Sequence, residues 1–148
     1  MKRSPCLDEE VKLDLGCGDF KPKGYIGIDV RKTCEADIVA SALHLPIRSG
    51  SVDEIRCHHL IEHLVPLEAE ACIKEIYRVL KVNGRAHLKI DRDWSLKRLL
   101  KKDPTHKYRY NVNEVLSMVK DFGVKKVKRK IYLYNGRLKN KIFAELRK

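Results

Sequence analysis

The chain contains no apolar run approaching the roughly 20 residues that cross a bilayer as a helix, so a membrane-spanning helix is excluded. It has no C-x-x-C pair, no internal repeat, no low-complexity tract and no Ser/Gly linker. Its five cysteines, Cys6, Cys17, Cys34, Cys57 and Cys72, are odd in number and widely spaced. That pattern excludes a readable disulfide framework or zinc knuckle and predicts reduced thiols in a cytoplasmic protein. The basic start, Met1-Lys2-Arg3, is followed by Asp8-Glu9-Glu10 and not by an apolar stretch, so no secretory signal is expected.

What is present fits one domain over residues 1–148, with 43% hydrophobic residues to build a core. The formal net charge is +12, and it is unevenly placed. Residues 1–80 hold 11 Lys/Arg and 14 Asp/Glu, a net of −3, whereas residues 81–148 hold 21 and 6, a net of +15. Such an asymmetry bears on partners, not on fold, and it favours something anionic.

The hydrophobic pattern alternates short strands with turns. Val11 to Leu15, Tyr25 to Val30, Ala36 to Ala40, Val52 to Cys57 and Arg85 to Ile90 read as strands. Leu67 to Val82 carries apolar residues at helical spacing, with Asn83-Gly84 as its stop. Ser95 to Lys102 reads as a short basic helix, and Glu114 to Phe122 as a helix capped by Asn113. Lys130 to Tyr134 and Lys141 to Leu146 flank Asn135-Gly136, a strong hairpin signal because both turn residues tolerate positive φ. Strands joined by crossovers and closed by a hairpin predict an α/β fold with a mostly parallel sheet and one antiparallel strand.

The chemistry concentrates in Leu13-Asp14-Leu15-Gly16-Cys17-Gly18 followed by Asp29 at the next strand end. A glycine-rich turn at a strand C-terminus lets backbone approach a ligand, and the acid can accept both hydroxyls of a ribose. A dinucleotide fingerprint is a poor match, because Lys21 stands at the third glycine position and Asp29 comes too early.

With these residues the sequence resembles the class I S-adenosylmethionine-dependent methyltransferases from about Val11 to Phe122. Further support comes from Ala42-Leu43-His44-Leu45-Pro46, Ser51 to Ile55, His58-His59-Leu-Ile-Glu62-His63-Leu64 and Glu75 to Lys81. The resemblance implies a Rossmann-like three-layer sandwich with seven strands, the last inserted antiparallel beside the fifth. It implies S-adenosylmethionine as cofactor. Gly16, Cys17 and Gly18 would line its methionine part, and Asp14 could accept from its amine. Asp29, beside Val30, would hold the ribose, with Ser41, Ala42 and Leu43 against the adenine. Cys57, His58 and His59 would face the sulfonium and the acceptor.

Two departures stand out. Ser41 replaces an Asp that many members use on the adenine amino group. Residues 16–24 are too few for the usual crossover helix, so that helix is expected to be missing or a single turn. Residues 1–10 leave no room for the family's lid helices. The cofactor pocket should therefore be open, or covered by a partner subunit or a second copy.

His59 and His63 are the candidate catalytic residues, since a hydroxyl acceptor needs a base near neutral pH. Being four apart they could share a metal, but no Glu follows His59 directly and no third ligand is evident, so no metal is expected. His106 lies in a loop suited to the acceptor. Three functional readings follow: a methyltransferase acting on an O or N acceptor, small or macromolecular and anionic; an RNA-directed methyltransferase or RNA-binding subunit using the basic half; and a non-catalytic scaffold for a partner.

Overall fold

The computed structural model describes residues 10–32, 35–92, 105–134 and 137–148. Cys6, Cys34, the basic helix expected over Ser95 to Lys102 and the Asn135-Gly136 turn lie outside the described residues. Seven strands form one sheet: β1 (Lys12–Leu15), β2 (Ile26–Asp29), β3 (Ile38–Val39), β4 (Val52–His58), β5 (Leu80–Asp91), β6 (Gly123–Tyr134) and β7 (Arg137–Arg147). Their order is β3-β2-β1-β4-β5-β7-β6. Neighbours from β3 to β5 pair in parallel, and β7 pairs antiparallel with both β5 and β6. The Rossmann-like sheet with an antiparallel C-terminal strand is as expected.

Two helices are described. Helix α1 (Pro66–Val79) begins with a proline whose missing N–H costs nothing there, and the Glu68 carboxylate accepts the Val65 N–H at 3.1 Å. Its buried residues Ala69, Cys72, Ile73, Ile76 and Val79 recur at three and four positions and form one apolar stripe. The chain turns extended at Leu80 and enters β5, so the helix stops before Asn83-Gly84. Helix α2 (Val112–Met118) is capped by Asn111, not Asn113: Asn111 Oδ1 accepts from Glu114 N at 3.0 Å and Glu114 accepts from Asn111 N at 2.7 Å. This reciprocal capping box moves the start two residues upstream of the sequence reading.

Both helices cover the same side of the sheet. Leu13, Leu15, Ile55, Cys57, Ala86, Leu88, Ile142 and Ala144 pack with α1, Val115, Val119 and Phe122 in one core. The rings of Tyr77 and Phe122 meet edge to face across the two helices, with centroids 5.0 Å apart. Fully burying one such aliphatic side chain contributes about 1.5–3 kcal/mol.

The opposite side is polar. Cross-strand pairing aligns Lys12 with Glu54 and Arg85, Asp14 with Arg56 and His87, and His58 with Lys89 and Phe143. No helix covers this face among the described residues, so two of the three expected layers are present there. The physical reason is chain length: residues 16–25 join β1 to β2 and residues 30–37 join β2 to β3, with no described helix in either link. The missing first crossover helix is therefore as expected. No helix among the described residues is long and apolar enough to cross a membrane.

Candidate functional site

The carboxyl ends of β1, β2, β4 and β5 converge with the start of β7 at one edge. After β1 the chain turns through Gly16 (φ +66°) and Gly18 (φ +60°), and Gly16 N donates to Ile28 O at 2.8 Å. These angles favour glycine. The Cys17 side chain is turned away from the edge and packs against Gly27 of β2, so it is the backbone of this residue that lines the turn.

Asp29 ends β2. Its carboxylate accepts the N–H groups of Gly18 and Arg31, each at 3.0 Å, with Arg31 Nε at 3.4 Å. Burial alone would push its pKa up, but these donors and the Arg31 guanidinium outweigh burial and hold it below the usual carboxylate range. Asp29 is thus ionised, and a carboxylate with two oxygens retains acceptor capacity for two hydroxyls. Val30 beside it is exposed. Ser41 Oγ accepts from Leu43 N at 3.2 Å, while Ala42 and Leu43 pack against the core. Glu75, itself paired with Arg78, accepts the Leu45 N–H and anchors this segment to α1.

Asp14 is buried, and its Oδ2 accepts from Arg56 Nη1 at 2.7 Å. Burial raises its pKa more than Arg56 lowers it. Arg56 also donates to His58 Nδ1 at 3.0 Å. Burial, then Arg56 and Lys89, lower the His58 pKa to about 3, so this ring is neutral at ordinary pH. His58 lies on the polar sheet face. Cys57 departs from its expected place toward the sulfonium. Strand alternation turns it into the helix-covered core, where it is fully buried against Cys72 and its thiol is pushed well up by that contact and by burial.

His59 breaks the strand. Its φ of +58°, uncommon for a non-glycine residue, turns the ring back onto the following 3-10 turn, Ile61–His63. His59 Nδ1 lies 3.0 Å from Glu62 Oε1, which also accepts the Asp91 N–H at 3.1 Å. That makes Nδ1 the donor and leaves Nε2 as the acceptor, 3.0 Å from Lys141 Nζ. Glu62 and Lys141 are both buried, and Lys141 Nζ also lies 4.0 Å from Asp91 Oδ2. Leu60, next to His59, packs on the glycine turn: a Cβ on Gly16 would sit 3.1 Å from Leu60 Cδ1. The His59 loop and the glycine turn are therefore one packed unit.

His63 is not part of this group. Its Nδ1 lies 2.9 Å from the Thr105 carbonyl oxygen and its ring meets His106 at 4.8 Å. The loop after β5 is held here too, because Lys107 N and Tyr108 N donate to Glu62 O, and Tyr110 Oη donates to Leu64 O.

A methyltransferase-domain family model matches residues 13–88, the stretch that carries the glycine turn, Asp29 and the His59 loop. The chain belongs to the class I S-adenosylmethionine-dependent methyltransferases. Solved structures agree in fold. An S-adenosylmethionine-dependent methyltransferase of Methanosarcina mazei is 20% identical, with a TM-score of 0.74 over 100% of this chain and 99% of that one. One from Archaeoglobus fulgidus is 16% identical, with a TM-score of 0.73 over 94% and 86%. The phosphoethanolamine N-methyltransferase 2 of Haemonchus contortus, bound to phosphomonomethylethanolamine and S-adenosylhomocysteine, is 13% identical, with a TM-score of 0.69 over 94% and 49%. No curated protein matches.

Within this methyltransferase the cofactor requirement has a physical counterpart. The ionised Asp29 beside two positive-φ glycines forms an acceptor and a close-approach turn at one sheet edge, which suits the ribose and the methionine part. A metal could also find donors among the described residues. Ligand atoms of His59, Glu62 and Asp91 lie within 4.8 Å of one another, as do those of Glu62, His63 and His106. The third ligand absent from the sequence reading is thus Glu62 or Asp91. In the first group, however, the Lys141 Nζ already stands beside both His59 Nε2 and Asp91 Oδ2.

Sequence reasoning missed Lys141, Asp91 and Arg56 and gave Glu62 no role. Glu62 stands inside the motif that was read. Lys141 and Asp91 meet only through the antiparallel register of β5 and β7.

Proposed function

We propose that the chain transfers a methyl group from S-adenosylmethionine to an O or N acceptor that carries negative charge, with His59 as the base. When bound, the cofactor supplies an electrophilic methyl on a sulfonium, and the acceptor gives up one proton for the methyl it gains. Asp29 would hold the ribose, and the Gly16–Gly18 backbone the methionine part. Asp14 has one oxygen committed to Arg56, which leaves the other for the cofactor amine. His59 Nε2 takes the acceptor's proton, and Glu62 fixes the tautomer by holding Nδ1–H. Lys141 and the neighbouring Lys89 present cations to an anionic acceptor, which on arrival draws the Lys141 ammonium off Nε2. The phosphorylated acceptor of the Haemonchus contortus neighbour supports this chemistry by analogy of fold.

The observation that carries the reading is the packing of the Glu62–His59 pair onto the glycine turn through Leu60. The test uses purified chain and methyl-labelled cofactor with a panel of phosphorylated amines and hydroxyl acceptors. We expect transfer to at least one of them, with H59Q about 100-fold slower or worse and its S-adenosylhomocysteine affinity unchanged. Absence of any calorimetric binding of either cofactor form would overturn the reading.

A further inference from the structure

The uncovered sheet face has a second character away from the site. On β6, Lys126, Lys128 and Lys130 alternate along the strand, so all three point to the side opposite the helices, about 7 Å apart. Register places Phe143 beside Lys128, Lys89 beside Phe143, and Tyr132 beside Lys139. Lys89 and Lys130 each hold Nζ 5.8 Å from the Phe143 ring centroid. A depression of about 510 Å³ is lined by Lys130, Tyr132 and Phe143, with Arg129 and Ile131 at its rim. Glu145 is the acid that β7 offers to this patch.

Lysines on an edge strand ordinarily discourage pairing between chains. That role does not require them to crowd on one face, nor to frame two aromatic rings. Here the crowding is costly: the Lys128 pKa is lowered by its contacts with Lys126 and Lys130. The cations lack an anionic counterpart, and the rings between them offer flat apolar surface. Phosphates at short intervals with planar bases between them are the chemistry that meets both requirements. An acidic peptide would meet only the first.

We propose that the β5–β7–β6 part of the uncovered face binds single-stranded nucleic acid, with lysines on the phosphates and Phe143 and Tyr132 as stacking platforms. The proposal does not depend on the methyl-transfer reading, because binding is measured without cofactor or turnover.

The experiment is fluorescence anisotropy of the full chain with a labelled 12-nucleotide RNA, the same sequence as DNA, the corresponding duplex, and polyglutamate. The proposal expects a single strand of either sugar to bind more tightly than duplex or polyglutamate, with affinity falling steeply as salt rises. The variant K128Q/K130Q should flatten the salt slope by about two, one for each lost phosphate contact. F143L should weaken single-strand binding about tenfold while leaving the slope unchanged. Circular dichroism confirms that each variant folds, and Y132L gives a second reading of the ring contribution should F143L unfold. Equal affinity for polyglutamate or duplex, or ring variants that bind like the parent, would overturn the proposal.

Discussion

Lys141 Nζ sits 3.0 Å from His59 Nε2, although the residues are 82 positions apart in the chain. One comes from the turn after β4 and the other from the start of β7. The contact therefore exists only once the hairpin has inserted beside β5, and it ties completion of the sheet to completion of the site.

Removing that cation should separate acceptor recognition from cofactor binding. K141M keeps the stem length but offers no donor to an anionic acceptor. Its acceptor KM should rise about ten- to a hundredfold, the range for a lost charged hydrogen bond, while S-adenosylhomocysteine affinity holds. K141R, which keeps the charge, should recover part of the loss. Steady-state kinetics and calorimetry on the same preparations read both. An unchanged KM in K141M would mean that the ammonium serves only the resting fold.

Asp29 tests the other end of the site. D29N is nearly isosteric and removes the charge while its amide oxygen can still accept from Gly18 N. S-adenosylhomocysteine should bind about ten- to a hundredfold more weakly, again the range for a hydrogen bond to a charged group. Thermal stability should fall less, because both backbone donors keep an acceptor. Calorimetric titration beside a melting curve distinguishes the two effects.

How much of this was readable from sequence varies with the range of the interaction. Asp29 and the two glycines were readable because their geometry is local, a turn and the end of the next strand. Cys57 was misplaced although the signal was present: Ile55 and Cys57 alternate with Arg56 and His58, which puts the cysteine on the apolar face. His59 was found, but its orientation depends on a positive φ that no residue type announces. His63, paired with it by spacing, bonds instead to a loop 42 residues away. Lys141 and Asp91 were beyond reach, because nothing short of the β5–β7 register places them together.

His58 predicts an acid sensitivity with a defined sign. Its pKa is lowered to about 3 in the folded state, against 6.5 for the ordinary imidazole. Between those values the unfolded chain binds a proton that the folded chain refuses, so stability falls as pH drops through that window. In H58N the amide oxygen can still accept from Arg56 Nε, and no ring is left to titrate. The variant should lose stability less steeply from pH 6.5 to about 3, and its acid midpoint should move down. Circular dichroism followed against pH at fixed temperature checks this. A midpoint that stays or rises would remove His58 from the acid response.

Gly16 and Gly50 together isolate the contact that joins the glycine turn to the His59 loop. Both have positive φ, +66° and +64°. A Cβ on Gly16 would meet Leu60 at 3.1 Å, whereas one on Gly50 meets nothing within 4 Å. Either alanine variant pays the left-handed backbone cost of about 1–2 kcal/mol, which lowers the melting temperature by roughly 2–4 °C per kcal/mol. Only G16A also has to move Leu60, and with it the backbone that aims His59. G50A should therefore lose stability and keep its rate of methyl transfer, while G16A loses more stability and most of its rate. Equal losses of stability in the two variants, with equal retained activity, would show that Leu60 yields freely and that the turn and the base are positioned independently.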